Sequence, residues 1–316
     1  DAIQGLMMFA VAILMVTLPF FYVGNASELM ERIAETSHVT KEGVPIGNGL
    51  VTFCSLVSFT YVLGIGLAVG MKQIAEPRCL IRFYSVDNAQ GMKFAMFWTP
   101  VFLGVSLVCV MGLGALVHGM ASEEEAAYLI HHTDEVVGFM LAKFDNQLIS
   151  GICLAGLFAA GMSSLASVML IVGTASVNDI WNVWKPMPQA STVRATKVAI
   201  IAYCVLVYIM TIFPPAGIVE LTAFSGAVFA ASFFPAIFGG LYLRWGTGQA
   251  AFWSMILGAV GCIVWRFGFR LRYDALKDVH EIIPAFLASL VLYLVISRIT
   301  RKDLPNSAHL DRIFRV

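Results

Sequence analysis

The chain has 316 residues, 59% of them hydrophobic and only 13% charged, and its 20 basic residues balance 20 acidic ones. Soluble domains carry roughly 45–50% apolar and about 25% charged residues, so an ordinary globular domain is excluded. The composition is that of an all-α, polytopic membrane protein held in a lipid bilayer, and no nucleic-acid partner is expected.

Hydropathy marks eight spans, at about 2–23, 47–71, 92–117, 149–177, 195–213, 217–243, 249–267 and 281–299. Each comes close to the ~20 apolar residues that cross about 30 Å of hydrocarbon. The polar stretch from Asn25 to Pro45, the acidic one from Ser122 to Asn146 and the run Lys185-Pro186-Met187-Pro188 separate them, and Pro214-Pro215 forces a tight reversal between the fifth and sixth. With the start of the first span placed inside, the inner segments carry thirteen Lys and Arg residues and the outer ones seven, the expected inside bias. Four of the outer seven cluster between Arg266 and Lys277, which weakens the sidedness of the last outer loop. The six cysteines lie singly, in or near apolar spans, with neither metal-ligand spacing nor a disulfide framework, and read as small apolar filler. The first span starts abruptly at Asp1, a carboxylate at the membrane edge, which suggests part of something longer. The tail after Arg298 is short and basic.

Three places carry candidate chemistry. In the second span, Tyr61-Val62-Leu63-Gly64-Ile65-Gly66-Leu67-Ala68-Val69-Gly70 holds three glycines. They suit either close helix packing or an interrupted helix whose freed backbone lines a cavity. Lys72 and Glu76 follow at i, i+4, a spacing at which they neutralise each other on the inner face. In the fourth span, Ala160, Ser163, Ser164 and Ser167 fall on one helical face. That face is either a small-residue packing seam or a set of hard oxygen ligands for a monovalent cation, since no carboxylate stands beside it for a divalent one. His131-His132 with Asp134 and Glu135 reads as a solvated loop, and the spans hold no catalytic or metal-ligand cluster, so an enzyme is not expected.

The order of the segments resembles the sodium/solute symporter family. Residues 159–167, Ala-Ala-Gly-Met-Ser-Ser-Leu-Ala-Ser, followed by Asn178-Asp179-Ile180-Trp181, look like its signature helix. Asp1-Ala2-Ile3-Gln4-Gly5 resembles the start of its core helix five, and Glu76-Pro77-Arg78 through Arg82-Phe83 the inner end of core helix six. Phe234-Pro235, Leu241 to Arg244, Met255, Gly258-Ala259 and Trp265 resemble the tenth and eleventh helices, and His280-Glu281-Ile282-Ile283-Pro284 the start of the next.

The resemblance implies the leucine-transporter-type inverted-repeat fold, of which this chain would hold the carboxy-terminal part. Core helix five would occupy 1–23, the second repeat 47–243 and two trailing helices 249–299, with a cytoplasmic tail at 300–316. Sodium would be the coupling ion, taken by the Ala160 carbonyl, Ser163 and Ser164, with Asp1 linked to its passage. Tyr61, Gly64 and Gly66, in a broken sixth helix, would border a small organic solute. The amino-terminal helices of the same transporter would supply the other half of both sites, and the chain alone would not transport. A membrane solute sensor and a proton-coupled permease of the same fold, with Asp1, Lys72 or Glu76 titrating, are the alternatives. Which solute is moved is not legible.

Overall fold

The computed structural model describes residues 2–35, 38–39, 45–46, 58–77, 79–80, 86, 88–144 and 146–303. Hydrocarbon offers backbone groups no partners, so an apolar chain satisfies them within helices. Among the described residues, seven helices are long and apolar enough to cross a membrane, and an eighth apolar helix is shorter. The chain divides into two compact units.

The first unit comprises 1–56 and 86–215. Its membrane-length helices are α1 (Ala2–Val23), α4 (Ala89–His118), α7 (Gln147–Thr174) and α8 (Gln189–Ile212), with short α2 (Ala26–Glu35), α5 (Glu123–His131) and α6 (Val136–Lys143) between them. A two-residue antiparallel bridge pairs His38 with Ile46 and Val39 with Pro45. The Asn88 and Asn146 side chains cap α4 and α7 by accepting from backbone N–H groups, Gly91 for the first, Leu148 and Ile149 for the second. α7 widens into a π-helical turn at Ala175–Trp181 before Pro186 and Pro188 end it. Val11, Met15 and Leu18 of α1 pack with Leu113 and Val117 of α4 and Cys153 of α7. Gly156 makes that approach possible, for a Cβ there would stand 2.7 Å from Val11 Cβ. At the end of α4, Leu29 and Ile33 of α2 close over Gly119 in the same way.

The second unit comprises 57–85 and 216–316, built from α3 (Phe59–Ala75), α9 (Ile218–Tyr242), α10 (Gly248–Val264) and α11 (Ile282–Ile299). Its core is lined by Ala68, Ala227, Ala230, Ala231, Cys262 and Ala285. Lipid tails are as apolar as Leu, so helices in a bilayer adhere by close van der Waals packing of small residues rather than by burying large ones. Gly258 shows how close: a Cβ there would lie 2.7 Å from the Ser232 nitrogen. Tyr293 is buried in a slot left by Gly239 and Gly246.

The second span is described from Ser58 onward. Its helix starts at Phe59, inside the apolar run, with Ser58 extended and its side chain accepting from the Tyr61 N–H. From Phe59 to Ala75 the helix is unbroken, so the glycines at 64, 66 and 70 do not interrupt it. A glycine lowers helix propensity by only about 1 kcal/mol, less than breaking a hydrogen-bonded ladder costs in hydrocarbon. Residues 47–57 and Asp1 lie outside the described residues.

Candidate ion and solute sites

On α7 the buried positions fall in two groups. Cys153, Gly156 and Ala159 form the first, on the side that meets α1, and Met169 and Gly173 the second. A Cβ on Gly173 would stand 2.5 Å from Ile200 Cγ1 of α8. Between the two groups, no residue from 160 to 168 is fully buried: Ala160, Ser163 and Ser167 are half-buried and Ser164 is exposed. Among the described residues, the hydroxyl face thus lies between the two buried groups of this helix and not within either.

Several hydroxyls of this helix bond back onto its own carbonyls. The Ser167 hydroxyl donates to the Ser163 carbonyl at 3.0 Å, Thr174 to Leu170 at 2.7 Å and Ser176 to Val172 at 2.7 Å. Each is the four-residue back-bond expected of a hydroxyl facing hydrocarbon. Ser176 also meets the Tyr203 hydroxyl at 2.8 Å, in the π-helical turn. The Ala160 carbonyl, like any helical carbonyl, keeps a second lone pair. Ala160, Ser163 and Ser164 thus stand together on adjacent turns, with oxygen atoms of the hard kind that suits an alkali cation.

In the second unit, Tyr61, Gly64 and Gly66 share α3 but not an environment. Tyr61 packs against His280, ring centroids 5.5 Å apart. A Cβ on Gly64 would collide with His280 Cβ and stand 3.0 Å from its Cγ, whereas around Gly66 there is nothing within 4 Å. Gly64 is a packing residue, and Gly66 opens on space.

Sequence reasoning missed the charge cluster beside them. The Glu281 carboxylate, wholly buried, accepts from Arg266 at 3.3 Å and Arg270 at 2.8 Å. Arg266 also bonds Glu220 at 2.6 Å and lies over the Phe224 ring at 4.9 Å. The Arg270 guanidinium lies 4.8 Å over the Tyr61 ring and donates to the Lys277 carbonyl at 3.1 Å. Burial pushes His280 toward its neutral form, with Glu281 pulling the other way and Arg270 and Arg266 reinforcing it. The available signal was two carboxylates, Glu220 and Glu281, at the starts of spans whose neighbour ends in arginines at i, i+4.

Lys72 and Glu76 are both buried, their charged atoms 4.0 Å apart, and Lys72 Cδ lies 3.4 Å from where a Cβ on Gly226 of α9 would be. In the acidic loop His132 stacks on Tyr128 and stands 3.6 Å from Glu135. Among the described residues no group of three His, Cys, Asp or Glu side chains could hold a metal ion.

Residues 1–258 match the model of the sodium:solute symporter family. The chain is similar to the osmoregulated proline transporter OpuE of Bacillus subtilis, with 25% identity over 98% of this chain and 60% of the relative. It is also similar to the high-affinity proline transporter PutP of the same organism, with 26% identity over 99% of this chain and 62% of the relative. A sodium/proline symporter of Staphylococcus aureus is 26% identical over 74% of this chain and 46% of its own length. The chain thus spans about three-fifths of the first two relatives.

Proposed function

Because this chain belongs to the sodium:solute symporter family, and is a multi-pass membrane transporter rather than an enzyme, we propose that it takes part in sodium-coupled symport of a small organic solute by alternating access. The observation that carries the ion assignment is the unpacked turn of α7. There a carbonyl at Ala160 and two hydroxyls at Ser163 and Ser164 share a face of which, among the described residues, no position is fully buried. Three oxygens are too few for a dehydrated sodium ion. The rest would come from helices of a longer transporter, in keeping with the three-fifths of the relatives that this chain spans. Asp1 would stand on the sodium path, by resemblance alone.

Sodium bound at this face would favour the outward-open state and order the solute site, where Gly66 and Tyr61 would border the solute. Rocking of the two halves would then release both inside. The membrane potential contributes about 2.3 kcal/mol per charge per 100 mV. Proline, the solute in the relatives' names, is the first to test.

A hydrogen-bonding group facing a charge is worth about 1.5–3 kcal/mol, and about 1.4 kcal/mol is tenfold in affinity. Ser163→Ala and Ser164→Ala should each raise the sodium concentration for half-maximal uptake about tenfold or more, in proteoliposomes holding the transporter that contains this chain. An unchanged sodium dependence refutes the ion site. Uptake that persists when potassium replaces sodium, driven by a pH gradient, refutes sodium coupling. Sodium-driven uptake by these 316 residues alone would refute the shared site.

A further inference from the structure

The outer cluster of the second unit joins four helices through one buried carboxylate. Glu281, at the start of α11, is held by two guanidiniums from the π-helical turn that ends α10. Arg266 extends the chain of charges to Glu220 on α9, and Arg270 extends it to the face of Tyr61 on α3. Two positive and two negative charges cancel, so the cluster needs no counter-ion from outside. A buried ion pair of this kind contributes little net stability over apolar side chains of the same volume, and its best-attested use is to fix registry. The registry fixed here is that of Tyr61. Arg270 is itself immobilised, by Glu281 at 2.8 Å and the Lys277 carbonyl at 3.1 Å, before it meets the ring. His280, its ring centroid 5.5 Å from that of Tyr61, packs directly against Gly64.

We infer that Arg270, clamped by Glu281, is a positioning residue for Tyr61, so that the trailing helices α10 and α11 set where the start of α3 stands. Its bearing on transport rests on the reading of Tyr61 as a solute neighbour.

The test uses 3-fluorotyrosine at position 61 in the reconstituted transporter that contains this chain. The fluorine resonance is read beside the solute half-saturation and the maximal rate per folded transporter. Arg270→Gln removes the cation from the ring and should shift the resonance. It should also raise the solute half-saturation about tenfold, the scale of a desolvated cation–π contact, with the maximal rate kept within about twofold. Glu281→Gln, which does not touch Tyr61, should shift the same resonance by freeing Arg270. Arg270→Lys, which keeps the charge, should restore the wild-type resonance in part. Glu220→Gln should leave it in place, because Arg266 and Arg270 still hold Glu281. A resonance unmoved by Arg270→Gln, or moved as far by Glu220→Gln, overturns the inference. A resonance that moves while the solute half-saturation stays constant supports the positioning of Tyr61 and refutes only its place beside the solute.

Discussion

Gly64 and Gly66 differ by half a helical turn and one observation, which makes them a controlled pair. Alanine at either position gains the same helix propensity, about 0.5–1 kcal/mol. At Gly66 the new methyl meets nothing within 4 Å, so Gly66→Ala should be as stable as the parent or up to about 1 kcal/mol more stable. At Gly64 the methyl lands on His280 Cβ, with Cγ at 3.0 Å and Cα at 3.6 Å. His280 is 1% exposed and the colliding atom is next to its backbone, so the neighbour cannot swing aside. Overpacking of that kind costs about 1–3 kcal/mol. Since propensity cancels in the difference, Gly64→Ala should lie below Gly66→Ala by the clash alone, about 1–3 kcal/mol. Unfolding both variants by titration with sodium dodecyl sulfate from mild detergent reads that difference directly. Uptake then separates their roles: Gly64→Ala should lose transport in proportion to folded protein, and Gly66→Ala should change the solute half-saturation with folded protein intact. Equal stability of the two variants would refute the packing role given to Gly64.

Two further outcomes follow from charge and burial. Glu281→Gln strands Arg270 and leaves Arg266 only Glu220 beside a fully buried site, and should cost about 3–5 kcal/mol, whereas Glu220, with its side chain 47% exposed, should cost no more than about 1 kcal/mol when changed to Gln; equal losses in the same titration would refute the burial argument. In the segment between α4 and α7, Lys143 chiefly, with the Ser122 N–H, holds the Glu125 carboxyl below its ordinary value of 4.5. The folded loop therefore binds that proton less readily than the unfolded chain, and its contribution is complete above about pH 4.5 and lost as pH falls through the lower folded value. Hydrogen exchange of residues 120–144 should show that loss of protection, and an acid step that survives in Lys143→Met would refute the assignment.

The spans were legible because hydrocarbon imposes one rule, a long apolar helix, on every crossing. The helix ends at Asn88, Ser122 and Asn146 follow from side chains that accept from the first turn. What the one-dimensional pattern did not contain was depth within a span. The run from 47 to 71 carries Thr52, Ser55, Ser58 and Thr60, each able to cap a helix, so hydropathy alone did not single out Ser58 as the cap of the helix that begins at Phe59. The serine face on α7 was visible as a periodicity, but whether a helix buries it depends on partners far apart in sequence. Val11 takes one end of the helix and Ile200 the other, and residues 160–168 are left between them. The cluster around Glu281 was hidden for a related reason: Glu220 and Arg266 are 46 residues apart, and no local spacing relates them.

That cluster also bears on the basic residues at 266–277. The rule that sets orientation counts Lys and Arg alone, and by that count Arg266 to Lys277 is an excess on the wrong side. In the folded chain five of the seven basic residues assigned outside are paired with carboxylates: Arg32 with Glu28, Lys143 with Glu125, Arg266 with Glu220 and Glu281, Arg270 with Glu281, and Lys277 with Asp274. Among the described residues assigned inside, Lys93, Lys185, Arg194, Lys197, Arg298, Arg301 and Lys302 have no carboxylate within 4.0 Å. Unpaired cations are attracted to the anionic headgroups of the inner leaflet, at about 1 kcal/mol each, and paired ones are not. Arg266 and Arg270 join helices of the second unit through Glu220 and Glu281, whereas Arg32 and Lys277 pair within their own segments, so the arginines at 266 and 270 have a packing role besides their place in the charge count.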